Sequence, residues 1–131
     1  MQISVGSEGT APVLLLRIDD FAVYSGNDDQ TVPMMALGAK GVISVISNIL
    51  PTEFHNLTKT CLEGDFKKAT EMSVKYSDLM DYMFIDVNPI PVKEAMNLMG
   101  MNMGECRLPL VGLSDKNRET LKAELAKHGL L

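Results

Sequence analysis

The chain has 131 residues, 46% of them hydrophobic and 22% charged, with a formal net charge of −5; this is the size of one domain by the usual span of ~100–200 residues. Lys and Arg are scattered, so the clustered cations needed to bind a phosphate backbone are missing and nucleic acid is not an expected partner. No run approaches the ~18 apolar residues of a membrane span, and the opening MQISVGSEGT lacks a basic stretch followed by an apolar one, so no secretory signal is expected and the cytoplasm is the expected compartment.

In chain order, residues 1–11 have no clear period. Pro12 to Ile18 is apolar and fits either a short helix or a buried strand. Phe21-Ala22-Val23-Tyr24 reads as a strand that ends at Ser25-Gly26. Asn27-Asp28-Asp29 reads as a turn into a helix over about Gln30 to Leu37, with Gly38 at its C-cap. Gly41-Val42-Ile43-Ser44-Val45-Ile46 is nearly continuous in apolar character, as a parallel strand covered on both faces would be. Pro51 opens a helix that places Phe54, Leu57, Cys61 and Leu62 on one face and ends at Gly64. Asp65 then caps a helix carrying a long stripe of Phe66, Ala69, Met72, Tyr76, Leu79, Met80 and Met83. Asn88-Pro89-Ile90-Pro91 breaks the chain before a shorter amphipathic helix with Val92, Ala95, Met96 and Met99. Ser114 caps a last helix that turns Leu121 and Leu125 inward and closes on Gly129, with Leu130 packed on Leu125. The order is strand–helix–strand–helix followed by three helices, an α/β pattern.

In such folds, sites gather at the C-terminal ends of the strands. That singles out Gly26-Asn27-Asp28-Asp29 and Ser47-Asn48. Asp28 and Asp29 are either a ligand or metal carboxylate pair, or turn and cap residues, which is what a helix entry requires anyway. Ser44 and Ser47 have no G-x-S-x-G context and no histidine placed to activate them. Lys40 sits in the turn before the second strand, away from the expected site, and Lys93 reads as a surface lysine at a helix start. The methionines at 72, 80, 83, 96 and 99 read as core rather than as a groove. Cys61 and Cys106 are the only cysteines, too few for a disulfide scaffold, and both are expected reduced. His55 and His128 are isolated, without zinc-ligand spacing.

The order of the segments is more specific than any one of them. Phe21-Ala22-Val23-Tyr24-Ser25-Gly26-Asn27-Asp28, then Ala36-Leu37-Gly38-Ala39-Lys40-Gly41-Val42-Ile43-Ser44-Val45, then Asn88-Pro89-Ile90-Pro91-Val92-Lys93, then Arg107-Leu108-Pro109-Leu110 and Gly129-Leu130-Leu131 follow one another without obvious gaps from about Asp19. Together they resemble the C-terminal part of the 4-hydroxy-tetrahydrodipicolinate synthase (dihydrodipicolinate synthase) family. The Asn88–Lys93 stretch favours that branch over the related N-acetylneuraminate lyases and keto-deoxy-sugar aldolases. The resemblance implies three segments: a non-matching stretch over 1–18, the last two βα units of a TIM (β/α)8 barrel over 19–64, and a three-helix C-terminal extension over 65–131. Residues 1–18 depart from the family pattern, which suggests a truncated or frame-altered reading frame.

The resemblance also implies a lyase of lysine and diaminopimelate synthesis that condenses pyruvate with L-aspartate 4-semialdehyde through a Schiff base on a sixth-strand lysine. Tyrosines and a threonine relay protons in that family, and an arginine holds the incoming carboxylate. None of these has a counterpart here, since the lysine would fall at about Met1. Two substrate-binding positions carry over: Ile43, whose main-chain carbonyl lines the pyruvate pocket, and Gly26, a backbone position below the substrate. No metal or dissociable cofactor is implied. The expected partners are the two substrates and, because two parallel strands leave open edges, a second copy or a partner barrel half. The chain alone is expected to be inactive, and its rival role is a non-catalytic remnant that self-associates or docks on an intact synthase. A cis bond is expected at Asn88-Pro89.

Overall fold

A computed structural model of the chain describes residues 21–131. The readings of residues 1–11 and of Pro12 to Ile18, and the 1–18 segment as a whole, lie outside the described residues. The chain divides into two compact units, one ending at Tyr76 and the other running from Ser77 to Leu131.

In the first unit, the segments around Ser25 and Val42 lie side by side in parallel. The Lys40 N–H donates to the Val23 carbonyl, Ser25 N–H to Gly41 and Ile43 N–H to Ser25, each at 2.8 Å. The pairing stops there. The expected strands over 21–24 and 41–46 are therefore reduced to one parallel bridge, and no longer strand occurs among the described residues. Two local competitors cut the ladder short. After Ser25 the chain folds on itself, with Ser25 Oγ accepting from the Asn27 N–H at 3.2 Å and donating to the Asn27 carbonyl at 2.7 Å. After Ile43 the chain enters a 3-10 turn over Ile46–Asn48.

Helix α1 (Thr31–Ala36) follows the first extended segment, and α2 (Pro51–Leu62) follows the 3-10 turn. Proline opens α2 because its missing N–H is one of the four that a helix start leaves unpaired anyway. Helix α3 (Phe66–Lys75) begins at Asp65, whose carboxylate accepts from the Lys68 N–H at 3.1 Å. Helices α1, α2 and α3 pack against one another. Their core holds Val23, Val32, Met34, Met35, Leu57, Cys61 and Ala69, with Phe66 and Met72 laid on its edge.

The long helix expected from Asp65 to Met83 is instead two helices, α3 and α4 (Ser77–Tyr82). Tyr76 leaves helical geometry at φ −115°, and its N–H closes a tight turn on Ser73. No glycine or proline marks the break. Its cause is burial in two places: Ala69 and Met72 serve the first unit, while Leu79, Met80 and Met83 are buried in the second. Met80 and Met83 are core as expected, Met72 is half-buried against the core of the first unit, and Met96 and Met99 are half-buried.

In the second unit, α5 (Ile90–Leu98) and α4 both pack on α6 (Asp115–Lys127), which buries Leu121 and Leu125 completely. Ser114 caps α6 by accepting from the Asn117 N–H. The Asn88-Pro89 peptide is cis, as is Leu108-Pro109.

Four of the helices end the same way. After α1, α2, α5 and α6 comes Gly38, Gly64, Gly100 or Gly129, each at positive φ. The residue after each glycine donates back five positions, as from Leu130 N–H to the Leu125 carbonyl at 3.0 Å. This pairs two otherwise orphaned carbonyls per helix. A side chain at Gly64 (φ +87°) would meet no neighbour within 4 Å, so only backbone strain penalises it. We expect Gly64→Ala to destabilise the chain by ~1 kcal/mol. Gly112→Ala, equally open and not left-handed, should stay within ~0.5 kcal/mol of the parent by urea denaturation.

Candidate functional site

The C-terminal ends of the two paired segments come together through one side chain. Asp28 is 2% exposed. Its Oδ2 accepts from both the Val45 and the Ile46 N–H at 3.0 Å, across 17 and 18 residues of chain. These two N–H groups open the 3-10 turn, so Asp28 is a cap, but not of the helix that follows it in sequence. Helix α1 has Gln30 at its N-cap and no side-chain cap bond. The choice between ligand and cap residue is thus resolved for Asp28 as a long-range cap. Asp29 is exposed.

Burial pushes the Asp28 carboxyl above its ordinary value of 3.8; the Ser44 hydroxyl and the Ile46 and Val45 N–H groups pull the other way, and the Asp29 charge adds to the rise. Desolvation wins because two N–H donors replace only part of a carboxylate's hydration. The polar residues around it are absorbed in the same loops. Ser44 Oγ accepts from the Ser47 N–H at 2.9 Å, Ser47 Oγ donates to the Ser44 carbonyl at 3.3 Å, and Asn48 Nδ2 donates to Val45 at 2.8 Å. None of these groups is set up as a nucleophile.

Gly26 and Ile43 are brought together. The Ile43 N–H donates to the Ser25 carbonyl, on the peptide that leads into Gly26. Gly26 is half-buried, and Ile43 is 53% exposed. The Ile43 carbonyl accepts no hydrogen bond among the described residues. Lys40 is exposed at the opposite end of the bridge, with its N–H on Val23. Cys61 is buried, which pushes its thiol up, and both cysteines are free. No group of three His, Cys, Asp or Glu side chains among the described residues could hold a metal ion.

Sequence reasoning missed a cleft of about 530 Å³ in the second unit, lined by Lys93, Glu94, Asn97, Cys106 and Leu108 among others. Lys93 and Asn97 bind the loop that forms its wall, and Glu94 binds α6. Lys93 Nζ donates to the Glu105 carbonyl at 2.7 Å, Asn97 clamps Met103 and Gly104, and Glu94 pairs with Arg118 Nε at 2.6 Å. The spacing of Lys93 and Asn97, one helical turn apart on α5, was the available signal.

With this geometry in place, comparison with known proteins identifies the fold of which these elements are a part. The dihydrodipicolinate synthetase family profile matches residues 10–128, and so enters the 1–18 segment at residue 10. The chain is 56% identical over 111 residues to the 4-hydroxy-tetrahydrodipicolinate synthase of Thermoanaerobacter sp. (strain X514), covering 85% of this chain and 37% of that protein. The solved dihydrodipicolinate synthase of Aquifex aeolicus superposes with a TM-score of 0.92 at 42% identity, over 98% of this chain and 44% of that one. The chloride-inhibited enzyme of Acinetobacter baumannii, solved with pyruvate, gives 0.86 at 35% identity, over 95% and 44%. These neighbours are TIM barrels, of which this chain is similar to a fragment. The chain belongs to the dihydrodipicolinate synthase family and corresponds to the C-terminal part of its members. It spans 37% of the length of the Thermoanaerobacter relative.

The Asp28 tie carries a pH signature. The folded state holds its proton more tightly than the unfolded state, so the folded chain binds more protons between pH 3.8 and the raised value. Stability therefore falls with rising pH across that window. In Asp28→Asn this component should vanish, so parent minus variant stability should decline as pH rises from below 3.8. Asp28→Ala leaves the two N–H groups without their acceptor and should cost ~2 kcal/mol at pH 7. Urea titrations at several pH values read both effects.

Proposed function

We propose that this chain supplies the C-terminal part of a 4-hydroxy-tetrahydrodipicolinate synthase, a cytoplasmic lyase of lysine and diaminopimelate synthesis acting on pyruvate and L-aspartate 4-semialdehyde. It contributes backbone to the pyruvate pocket and not the reacting amine. The observation that carries this reading is Ile43, the last paired residue of the second segment: its carbonyl has no hydrogen-bond donor among the described residues, and its N–H is held by the Ser25 carbonyl, on the peptide that leads into Gly26. A carbonyl lining a small polar pocket needs to be free in this way. The pyruvate in the Acinetobacter baumannii relative supports that substrate.

The chain's own lysines do not suit imine chemistry. An amine that attacks a ketone must be neutral, which requires a pocket that lowers its pKa. Lys40 is exposed, and Lys93 donates to a main-chain carbonyl in the second unit. A non-catalytic remnant that self-associates, or docks on an intact synthase, is the rival reading. It is favoured by the apolar side chains left exposed in the first unit, Leu37 at 51% and Ile43 at 53%.

Incubation with pyruvate and borohydride, followed by intact mass, tests the division of labour. No lysine of the chain alone should be trapped. A stoichiometric adduct on one lysine would overturn this reading, and peptide mapping would identify the amine.

A further inference from the structure

From the segment that closes α5 we propose a metal site: the thioethers of Met96, Met99, Met101 and Met103 bind one copper(I) ion.

The methionines of the chain are of two kinds. Met34, Met35, Met80 and Met83 are buried, at 5% exposure or less, and Met72 lies on the core of the first unit. The other four described methionines fall together between Met96 and Met103, and none of them is buried. Met96 and Met99 are half-buried, while Met101 and Met103 are each 45% exposed. A methionine that fills gaps in a core belongs inside it. Packing therefore does not account for four thioethers left within reach of solvent in one short segment.

Local backbone geometry gathers this segment. Gly100, at φ +83°, turns the chain back at the end of α5, and the Met101 N–H donates to the Met96 carbonyl at 2.9 Å. Asn97 then holds the returning chain. Its Oδ1 accepts from the Met103 N–H at 2.6 Å, and its Nδ2 donates to the Gly104 carbonyl at 3.0 Å. The loop that carries Met101 and Met103 thus runs back beside the last turn of α5, which leads from Met96 to Met99. Between the two exposed methionines, Asn102 takes a left-handed backbone at φ +53°, a conformation that costs an ordinary residue ~1–2 kcal/mol. The turn is fixed by hydrogen bonds to α5 and not by burying its sulfur atoms.

Thioether sulfur is a soft, neutral donor, and soft donors select copper(I). Neutral ligands leave the ion its full charge, so the surroundings must accept a cation. From Glu94 to Cys106 the sequence carries Glu94 and Glu105 and no lysine or arginine. The carbonyl end of α5 adds partial negative charge. The Lys93 ammonium is turned onto the Glu105 carbonyl, and Arg118 is paired with Glu94. Zinc and calcium call for thiolate, imidazole or carboxylate ligands, and no group of three such side chains among the described residues could hold them. Cys106 follows closely in sequence and is a competing soft donor.

The test uses silver(I), a soft monovalent probe that is stable in air, on the full chain isotope-labelled at its methionine methyl groups. One equivalent of silver nitrate should shift the methyl signals of Met101, Met103 and at least one of Met96 and Met99, leaving those of Met80 and Met83 in place. Cys106→Ser should give the same shifts. Thioethers hold no titrating proton, so the affinity of that variant should be alike at pH ~5 and ~7. Adding Met101→Leu and Met103→Leu, which conserve volume at exposed positions, should weaken silver binding at least ~10-fold. Circular dichroism of this variant should match the parent; if it does not, the methyl shifts of the parent decide. Copper(I), delivered under reducing conditions from a chromophoric chelator, should bind Cys106→Ser one-to-one. No methyl shift at a several-fold excess of silver would overturn the proposal. So would loss of binding in Cys106→Ser, or equal binding by the folded leucine variant.

Discussion

The first unit depends on one buried carboxylate holding two distant loops together. Asp28 lies at the end of the first extended segment, and its Oδ2 takes the two N–H groups that begin the turn after the second. Without that tie, little would fix the ends of a pair joined by three main-chain bonds among the described residues. Burying the carboxylate costs solvation, and the rise in its pKa measures the part that the donors do not return. What the tie provides is position. It turns the chain at Val45 so that Ile46, Ile49 and Leu50 are buried, and it delivers Pro51 to the start of α2. The same turn leaves Ile43 as the last paired residue, beside the peptide entering Gly26.

Helix ends were legible because their determinants are local. Pro51 removes an N–H that a helix start would leave unpaired, Asp65 and Ser114 accept from N–H groups three residues on, and Gly64 and Gly129 adopt the left-handed backbone that closes a helix. The strands were not legible to the same degree. Apolar, β-rich runs at 21–24 and 41–46 state a preference for extended backbone, but a strand exists only where a neighbour supplies hydrogen bonds. Here each run has one neighbour among the described residues, for three residues or so, before Ser25 and Asp28 redirect the chain. The break at Tyr76 was hidden for a related reason. A stripe of Ala69, Met72, Leu79 and Met83 keeps helical spacing whether it faces one core or two, and nothing in its composition reports the division.

The candidate site was legible in another sense again. Asp28 stood out from its residue type and place, yet the local reading aimed it at α1, and only the fold shows it reaching across to Val45 and Ile46. Ile43 came from resemblance alone, since a main-chain carbonyl has no signature in side-chain chemistry, whereas Gly26 also stood out by its place after the first strand. Their proximity follows from the parallel register, which no pattern within either segment encodes. Lys93 and Asn97 show the converse: polar residues on an amphipathic helix read as solvated, and they turn out to hold a loop in place.

A site built on a parallel barrel takes its parts from the ends of several strands, and those parts differ in how far they survive division. A backbone carbonyl is presented by local geometry, so two tied segments suffice to position it. A reactive amine needs more: its low pKa comes from walls that exclude water on every side, and such walls are a property of the closed barrel. Under the proposed function, chemistry and binding thus separate naturally along the chain. In that reading the C-terminal part would supply a lining at Ile43 and Gly26, positioned by Asp28 at a cost in desolvation.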